Sequence, residues 1–524
     1  MSSVPYVYGY LRQSSTERFT GIVFNVVDTA QYFAWMRAFS ASLLIENPLT
    51  PDAGAARFFN LQWWPLGVVA YQTALGPVAT YQLFRIVALA GFVIALALFC
   101  RLVIPRHALL AFAVVMLSSG LGWILVVVKQ WTGTLAYPLD VQVAEANTFF
   151  SAMAFPHLLF AAALLLGIYL CVLLGVGPKR LRYSALAGVL TLILGFSHGY
   201  DLLLAVVIPA AFIMARFAHT RHVPEHIWPV GAILAGSGPP GLYLLSLTRL
   251  DPTWNGVLSQ YDNAGVYTPS PPHLLILLGL PFLLAMWQLR PDAWRQLTHP
   301  QLFVRAWFIA GFALLYIPTD FQIKMLTAYQ VPVGILATQT LVAIAARVHL
   351  ALSRVPQVRA TVIVGTLAFL MLTNIYLTSW RVVELRRADY PFYLTAADVQ
   401  ALTTLEDIAT PGSVVLSSTE IGIFVPVYSD ARPFVAHWAQ TLDFFERRDS
   451  MRWFFSSEST EADRLEFIRH NQIAFVIAGK AETRVGAPAA PASDRVAEPA
   501  MSLPSRTTPS PILYGVGTEN NVGP

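Results

Sequence analysis

Charged residues are scarce in this sequence: Asp, Glu, Lys and Arg make up 12% of its 524 residues, about half of their share in soluble proteins. Hydrophobic residues make up 56%, and the mean hydropathy is +0.56. A soluble globular chain does not carry so few charges over such a length, so that class is excluded. The composition predicts an integral membrane protein.

Cysteine is nearly absent as well. The two cysteines, Cys100 and Cys171, lie inside apolar runs. Two thiols in such surroundings indicate neither a disulfide framework nor a thiolate metal site. We expect both to be buried packing residues.

Nucleotide-binding and zinc-hydrolase motifs are missing from the sequence. It contains no G-x-x-x-x-G-K-[ST], no G-x-G-x-x-G and no H-E-x-x-H, so we expect no nucleotide or organic cofactor. The formal net charge of +4 does not indicate a nucleic-acid partner, because the basic residues lie in short clusters between apolar runs. The lipid bilayer is the partner that the composition implies.

Long apolar runs are abundant. A shorter run at 62–76 carries a tryptophan pair, Pro65 and two glycines, which favour an interfacial or re-entrant helix over a span. The runs able to cross a hydrocarbon core of about 30 Å predict ten transmembrane helices, at 80–104, 107–128, 150–177, 183–200, 201–218, 227–248, 272–289, 303–318, 325–347 and 359–379.

The basic residues set the predicted orientation. If 62–76 does not cross, one set of loops holds most of the basic residues, with only Glu225 and Asp292 as acids, and those loops are then cytoplasmic. The extracytoplasmic side receives residues 1–79, the 129–149 loop and everything after residue 380. We expect a multi-pass protein of a bacterial plasma membrane, with its active site on the extracytoplasmic face.

The N-terminal segment, 1–79, is expected to be an extracytoplasmic loop with amphipathic helices. No apolar helix precedes it to carry it across the membrane, and nothing near Met1 resembles a signal peptide. We therefore expect the chain to lack a first transmembrane helix, through truncation or a start codon placed too late. Translocation of the N-terminal tail by itself is the alternative.

The composition changes after about residue 385. Helical periodicity alternates with short β-branched runs at Ser413–Leu416 and Ile473–Ile477, which predicts a small α/β domain over 385–482. Residues 485–524 are rich in Pro, Ala, Ser, Thr and Gly and are expected to be a disordered tail. The predicted fold class is an all-α polytopic membrane body, 80–380, with a small extracytoplasmic α/β domain at the C-terminus.

Asp28 is the first candidate for chemistry. It stands in an aromatic, amphipathic segment, residues 21–37, with Arg37 nine positions later. A carboxylate at the water boundary can take a proton from an acceptor hydroxyl, and a cation near it can balance a leaving phosphate. The alternative is that Asp28 only caps the helix that follows.

Further ionisable residues lie in the second outer loop and just beyond it. Asp140 and Glu145 precede Asn147, and His157 follows at the start of the next span. The alternative for the two acids is a solvated loop with a helix cap at Asn147. His157 either faces a substrate cavity or forms a hydrogen bond within the bundle.

Two polar corners lie at outer ends of predicted spans. In FSHGYD, Gly199 permits a tight turn that brings His198, Tyr200 and Asp201 to one corner, which either lines the active cavity or is a simple polar turn. In IPTDFQIKM, Lys324 stands at the start of an apolar helix and can meet a lipid phosphate as a point charge. Its alternative is snorkelling to the interface.

Together these features resemble the GT-C fold of membrane glycosyltransferases. The resemblance rests on Asp28 in the first outer loop, the aromatic helix with Arg37, the N-P-L-T and W-W-P-L-G motifs, the many-span body and the C-terminal α/β domain. Its local motif is a loose D-x-x-x-Y pattern. Protein O-mannosyltransferases and the aminoarabinose transferases of lipid A belong to this fold and use polyprenyl-phosphate sugars.

The resemblance implies that Asp28 is the catalytic carboxylate, either activating the acceptor or helping to bind a divalent metal. It also implies a supporting carboxylate at Asp140 or Glu145, and a cation for the lipid phosphate at Lys324, joined by Arg37. The chain departs from the family pattern in lacking the first helix and in carrying a lone Asp28 where some relatives have an adjacent acidic pair. The second departure leaves metal dependence open.

The expected function is transfer of a sugar from a polyprenyl-phosphate donor to a lipid, glycan or protein acceptor, with His157, His198 and Asp201 as further substrate-binding candidates. Inversion is expected, because a single displacement needs no glycosyl-enzyme intermediate. A transporter or flippase for a lipid-linked or small solute is the rival, and an inactive scaffold relative is a third hypothesis. Against transport, the sequence has no internal repeat, and its acids gather in outer loops.

Overall fold

The computed structural model describes residues 1–260, 267–294, 296–351, 357–484 and 512–515. The chain forms two compact units. The first, called the membrane unit here, comprises Met1–Val4, Gln82–Leu245 and Asp262–Arg381. The second, called the α/β unit, comprises Pro5–Tyr81, Ser246–Tyr261 and Val382–Pro524.

Most of the described chain is helical. The helices are α1 Val4–Arg12, α2 Val26–Ala41, α3 Trp63–Gln72, α4 Gly76–Val103, α5 Ala108–Leu117, α6 Gly122–Thr132, α7 Thr148–Ala154, α8 Pro156–Leu174, α9 Arg180–Ser197, α10 Leu202–Thr220, α11 Ile227–Leu250, α12 Pro252–Ser259, α13 Pro271–Met286, α14 His299–Leu314, α15 Gln330–Ala351, α16 Val358–Leu370, α17 Leu372–Leu385, α18 Ala396–Ile408, α19 Thr419–Gly422, α20 Val425–Tyr428, α21 Phe444–Phe455, α22 Glu461–His470 and α23 Lys480–Arg484. The strands are β1 Glu17–Phe19, β2 Tyr393–Thr395, β3 Val414–Leu416, β4 Arg432–Pro433, β5 Ile473–Ala478 and β6 Ile512–Gly515.

Among the described residues, seven helical segments are long and apolar enough to cross a membrane. An eighth span results if α16 and α17, which meet at a bend of 42°, are counted as one. The seven segments are Gly76–Val103, Pro105–Thr132, Pro156–Leu174, Gly199–Ala218, Ile227–Leu250, Pro271–Leu289 and Gln330–Leu350. The chain is therefore a multi-pass integral membrane protein.

The structure gives seven to eight candidate spans where the sequence predicts ten. The two remaining predicted spans, 183–200 and 303–318, are helices α9 and α14. Helix α14 has 16 residues, so it is about 24 Å long, short of a hydrocarbon core of about 30 Å. Helix α9 has 18 residues and begins with Arg180, which shortens its apolar part.

The core of the membrane unit lies around α8, whose residues are buried on nearly every side. The ring of Tyr169 on this helix packs with centroids 4.8 Å from Trp307 and 5.2 Å from Phe303, both on α14. The ring centroid of Phe212 on α10 lies 5.3 Å from that of Phe303. Since lipid is as apolar as these side chains, close packing rather than escape from water holds the helices together.

In the α/β unit, α2 and α3 pack closely against each other. A side chain at Gly67 would place its Cβ 2.2 Å from the carbonyl oxygen of Met36, so only glycine permits this approach. The rings of Tyr32 and Trp63 stack across the same contact with centroids 4.4 Å apart. Helix α3 belongs to the 62–76 segment, and its ten residues span about 15 Å, too little to cross the membrane.

The small α/β region predicted at the C-terminus is confirmed, with strands at both predicted runs. The sheet has the order β4-β3-β5-β6, in which β3 is parallel to β4 and β5, and β6 is antiparallel to β5. Helices α21 and α22 cover one face, where Phe454 and Ile468 pack with Leu416 and Val476. Burial of this apolar surface stabilises the layer.

The α/β unit pairs a strand near the N-terminus with a strand that follows the last membrane helix. Strand β1 pairs antiparallel with β2, with Glu17 opposite Thr395 and Phe19 opposite Tyr393. The N-terminal segment thus shares a unit with the C-terminal region, whereas the sequence treats them as separate domains. The predicted tail, 485–524, lies outside the described residues except for β6.

Candidate functional site

Asp28 lies in the first turn of α2. The helix is capped by Asn25, which adopts a left-handed conformation (φ 43°, ψ 67°) and accepts a hydrogen bond from the Asp28 amide. Asp28 is therefore not the N-cap that the sequence offers as the alternative, because the helix begins two residues earlier, at Val26. A carboxylate in the first turn is stabilised by the positive end of the helix dipole.

The Asp28 carboxylate contacts a histidine from the C-terminal part of the chain. Its Oδ1 lies 3.0 Å from Nε2 of His437, and its Oδ2 accepts a hydrogen bond from the side-chain amide of Asn25. The His437 side chain is 3% exposed and that of Asp28 is 31% exposed. The site therefore presents a carboxylate that is open to water on one side and held by hydrogen bonds on the other.

The sequence pattern does not indicate a functional role for His437. It lies 409 positions from Asp28, in the segment FVAHWAQ, where a histidine among apolar residues suggests a packing role. Only the tertiary fold brings the two residues together. The sequence contains only a weak indication of a role for His437. The segment FVAHWAQ directly follows strand β4, and loops at the ends of strands often carry functional residues.

Arg37 lies on the opposite face of α2 from Asp28, because nine residues make about two and a half turns of helix. Its guanidinium forms ion pairs with Asp430 at 2.9 Å and Glu406 at 3.1 Å. The structure therefore separates Arg37 from Asp28, in contrast to the sequence prediction. Arg37 instead lines a cavity of about 370 Å³ in the α/β unit, together with Arg432.

The membrane unit holds the second group of predicted residues. Nζ of Lys324 lies 2.6 Å from Oε1 of Glu145, with the two side chains 27% and 9% exposed. Lys324 lies in the 3-10 turn Gln322–Leu326, not at the start of the apolar helix as predicted. A left-handed residue, Ala328 (φ 58°), separates this turn from α15.

Three more predicted residues lie beside this ion pair. Nδ1 of His198 is 2.7 Å from Oδ2 of Asp201, which is fully buried. The His157 ring lies 5.9 Å from the His198 ring and within electrostatic range of Lys324. The structure thus brings His157, His198, Asp201, Lys324 and Glu145 into one polar cluster, called the membrane-unit cluster below.

The turn that carries His198 and Asp201 does not depend on the conformational freedom predicted for Gly199. Gly199 does not adopt the left-handed conformation that only glycine favours. A Cβ at Gly199 would instead lie 2.3 Å from Cδ1 of Leu244, so glycine leaves room for that side chain. Tyr200 packs its ring 5.1 Å from Phe321, which joins this turn to the turn of Lys324.

Asp140 is buried and forms a hydrogen bond with the first turn of a neighbouring helix. Its side chain is fully buried, and its Oδ1 accepts a hydrogen bond of 3.1 Å from the Gly122 amide in the first turn of α6. Burial raises the pKa of this carboxyl to about 7, opposed by hydrogen bonds from Thr373 and the Gly120 backbone. The loop is therefore not solvated at Asp140, but the helix cap predicted at Asn147 is confirmed.

Across the described residues, no three or more His, Cys, Asp and Glu side chains converge on a point where they could hold a metal ion. The His437 nitrogen that faces Asp28 is a hydrogen-bond donor, because the other ring nitrogen accepts the Ala439 amide. A ring nitrogen that carries a proton cannot bind a metal at the same time.

The whole fold has counterparts among solved membrane enzymes. ArnT from Cupriavidus metallidurans, bound to undecaprenyl phosphate, is 13% identical to this chain and matches it with a TM-score of 0.52 over 100% of this chain and 98% of its own. The Archaeoglobus fulgidus oligosaccharyltransferase in the apo form is 12% identical, with a TM-score of 0.54 over 91% and 69% of the two chains. The archaeal oligosaccharyltransferase AglB of the same organism, in complex with an inhibitory peptide and a dolichol-phosphate, is 13% identical, with a TM-score of 0.51 and the same coverage.

These structural matches confirm the GT-C fold that the sequence resembles. At 12% to 13% identity the likeness concerns the fold. No family model and no curated protein sequence matches this chain. One fold hosts many functions, so the activity of this chain depends on its own residues.

Proposed function

We propose that this protein is an inverting membrane glycosyltransferase that moves a sugar from a polyprenyl-phosphate donor to a lipid, glycan or protein acceptor on the extracytoplasmic face. The full-length structural match to ArnT bound to undecaprenyl phosphate is the observation that supports the donor class.

Asp28 is the proposed general base. Its carboxylate is partly exposed and held by Asn25 and His437, so it can accept the proton of an acceptor hydroxyl. The acceptor oxygen then forms a bond to the anomeric carbon of the sugar while the bond from that carbon to the phosphate oxygen breaks. The phosphate leaves with the electron pair, and one displacement inverts the anomeric configuration.

The membrane-unit cluster is the proposed site for the lipid phosphate. Lys324 provides the cation, and its ion pair with Glu145 holds it in place until an anionic group takes the place of that carboxylate. His157 and His198 offer further polar groups beside it. A phosphate held by a cation leaves more readily because the developing negative charge is stabilised.

The test uses membranes that contain the full chain and a panel of polyprenyl-phosphate hexoses and pentoses, each radiolabelled in the sugar. We expect the wild type to release or transfer label from at least one donor, and Asp28→Asn to lose this activity while accumulating to the same level. Asp407→Asn, the same chemical change at an exposed position of α18, is the control and should remain active.

Two results contradict the proposal. Full activity of Asp28→Asn removes Asp28 from the role of base. Absence of transfer from every donor, combined with movement of a labelled polyprenyl-phosphate sugar across proteoliposome membranes, supports the flippase alternative.

A further inference from the structure

In the hydrogen bond between Asp28 and His437, the histidine is the donor. The Nδ1 atom of His437 accepts a hydrogen bond of 3.0 Å from the Ala439 amide. An atom that accepts an N–H carries no proton itself, so the proton of the neutral ring is on Nε2. The Nε2–H group therefore donates to Oδ1 of Asp28 at 3.0 Å.

The loop that carries His437 is fixed by several hydrogen bonds. The His437 carbonyl accepts from the Thr441 amide at 2.9 Å. Thr441 Oγ1 accepts from the Ala436 amide at 3.1 Å and donates to the Leu49 carbonyl at 2.7 Å. These bonds leave the backbone of His437 little freedom to move away from Asp28.

Another segment of the same chain also forms hydrogen bonds with the loop that carries His437. It is the N-P-L-T motif, residues 47–50, whose role the sequence does not explain. The side-chain amide of Asn47 donates to the Gln440 carbonyl at 2.9 Å, and Thr50 Oγ1 accepts from the Leu442 amide at 3.3 Å. The motif thus ties the His437 loop to the N-terminal part of the α/β unit, which also contains Asp28.

We infer that His437 is a positioning residue, which holds the Asp28 carboxylate in its reactive orientation through a donated hydrogen bond. The inference rests on the proposed function, in which Asp28 is the base. Each carboxylate oxygen receives one hydrogen bond, from His437 or from Asn25, and keeps a second lone-pair direction open. The acceptor hydroxyl can approach there without displacing either residue.

This arrangement gives the C-terminal region a part in catalysis. His437 does not exchange the proton, because its second nitrogen is occupied by the Ala439 amide. Its contribution is therefore geometric, and loss of the contact allows the Asp28 side chain to rotate about its bonds. Misplacement of a catalytic group by about 1 Å can cost about 100-fold in rate.

The test compares three substitutions at His437 in the purified full chain, with the labelled donor that the wild type uses. His437→Gln places an amide N–H near the position of Nε2, whereas His437→Asn reaches only the position of Nδ1. We expect His437→Ala and His437→Asn to lower kcat by about 10- to 100-fold with KM changed by less than about twofold. His437→Gln should recover most of kcat, and His470→Ala, at an exposed helix end, should be unaffected.

A double-mutant cycle decides whether His437 acts through Asp28. If it does, His437→Ala has little further effect in the Asp28→Glu background, which keeps a carboxylate base but already displaces it from the contact with His437. Independent, multiplicative losses would overturn the positioning role, as would wild-type kcat in His437→Ala or equal rates for His437→Gln and His437→Asn. Loss of thermal stability in all three variants to the same extent, with parallel loss of rate, would assign His437 to folding alone.

The tautomer gives a readout that needs no turnover. Solid-state NMR of chain labelled with nitrogen-15 in histidine rings should show a protonated Nε2 and an unprotonated Nδ1 for His437, assigned by comparison with His437→Gln. The reversed tautomer would overturn the inference while leaving the proposed function intact. Full activity of Asp28→Asn, or no transfer by the wild type, overturns the proposed function and the positioning role with it.

Discussion

Glu145 and Lys324 form an ion pair of 2.6 Å between residues 179 positions apart in the chain. The pair joins a 3-10 turn at Ala144–Ala146 to a 3-10 turn at Gln322–Leu326. Since the Glu145 side chain is 9% exposed, water screens this pair less than a surface pair. Glu145 thus compensates the charge of Lys324, the proposed ligand of the lipid phosphate.

Replacement of Lys324 by glutamine should weaken the binding of undecaprenyl phosphate. A charge-assisted hydrogen bond contributes about 1.5–3 kcal/mol, which corresponds to about a tenfold to hundredfold change in Kd. The measurement is native mass spectrometry or fluorescence titration of the full chain in nanodiscs, with undecaprenol as the ligand that lacks the phosphate. Lys129→Gln, at an exposed position of α6, is the matched control.

The variant Glu145→Gln tests, in the same assay, whether Glu145 helps to bind undecaprenyl phosphate or only balances the charge of Lys324. We expect it to bind undecaprenyl phosphate at least as tightly as the wild type, because Lys324 no longer has a competing carboxylate. Its thermal stability should fall, because removing one partner leaves the other charge in a partly buried place. Weaker phosphate binding in Glu145→Gln would show that the pair itself, rather than the lysine, recognises the ligand.

Asp140→Asn should remove part of the pH dependence of stability. Burial raises the pKa of Asp140 to about 7 in the folded protein, so the folded state keeps a proton that the unfolded chain has lost above about pH 4. The stabilisation from this proton is complete below about pH 4 and is lost as the pH rises to about 7. Wild-type stability should therefore fall between about pH 4 and 7.

The measurement is Tm in detergent at both ends of that pH range. The asparagine variant resembles protonated Asp140 and can still accept from the Gly122 amide, so its Tm should fall less than that of the wild type. Asp407→Asn, at an exposed position, should retain the wild-type slope. Identical slopes in Asp140→Asn and the wild type would assign the pH dependence to other groups.

Much of the fold follows from local pattern. Long apolar runs predict where the membrane helices lie, and β-branched runs locate strands β3 and β5. The number of spans is less certain from sequence, since α9 and α14 are helical but only 18 and 16 residues long. Whether such helices cross depends on their neighbours, which hydropathy does not report.

Contacts between residues that are close in the sequence can be predicted from it, whereas contacts made only by the tertiary fold cannot. His198 and Asp201 contact each other over one turn, which sequence spacing can show. The pair of Asp28 and His437 requires the fold, because 409 positions separate them. Arg37 lies near Asp28 in the sequence, but nine residues of helix place the two side chains on opposite faces of α2.

Arg37→Gln should leave the binding of undecaprenyl phosphate unchanged. Arg37 is paired with Asp430 and Glu406, and these partners are about half exposed. Such pairs contribute about 0.2–1 kcal/mol, so Tm should fall only slightly. The nanodisc titration used for Lys324→Gln measures the binding, and a loss as large as in that variant would restore Arg37 to the phosphate site.

Gly67→Ala should destabilise the contact between α2 and α3 and thereby the position of Asp28. The added Cβ would lie 2.2 Å from the backbone oxygen of Met36, which cannot rotate away as a side chain could. Overpacking of this kind costs about 1–3 kcal/mol, so Tm in detergent should fall and sugar transfer should decrease. Gly91→Ala is the matched control, because a Cβ at Gly91 on α4 meets nothing within 4 Å. Equal Tm values for both variants would mean that α2 moves freely away from α3, and Asp28 would then owe its position to His437 and Asn25 alone.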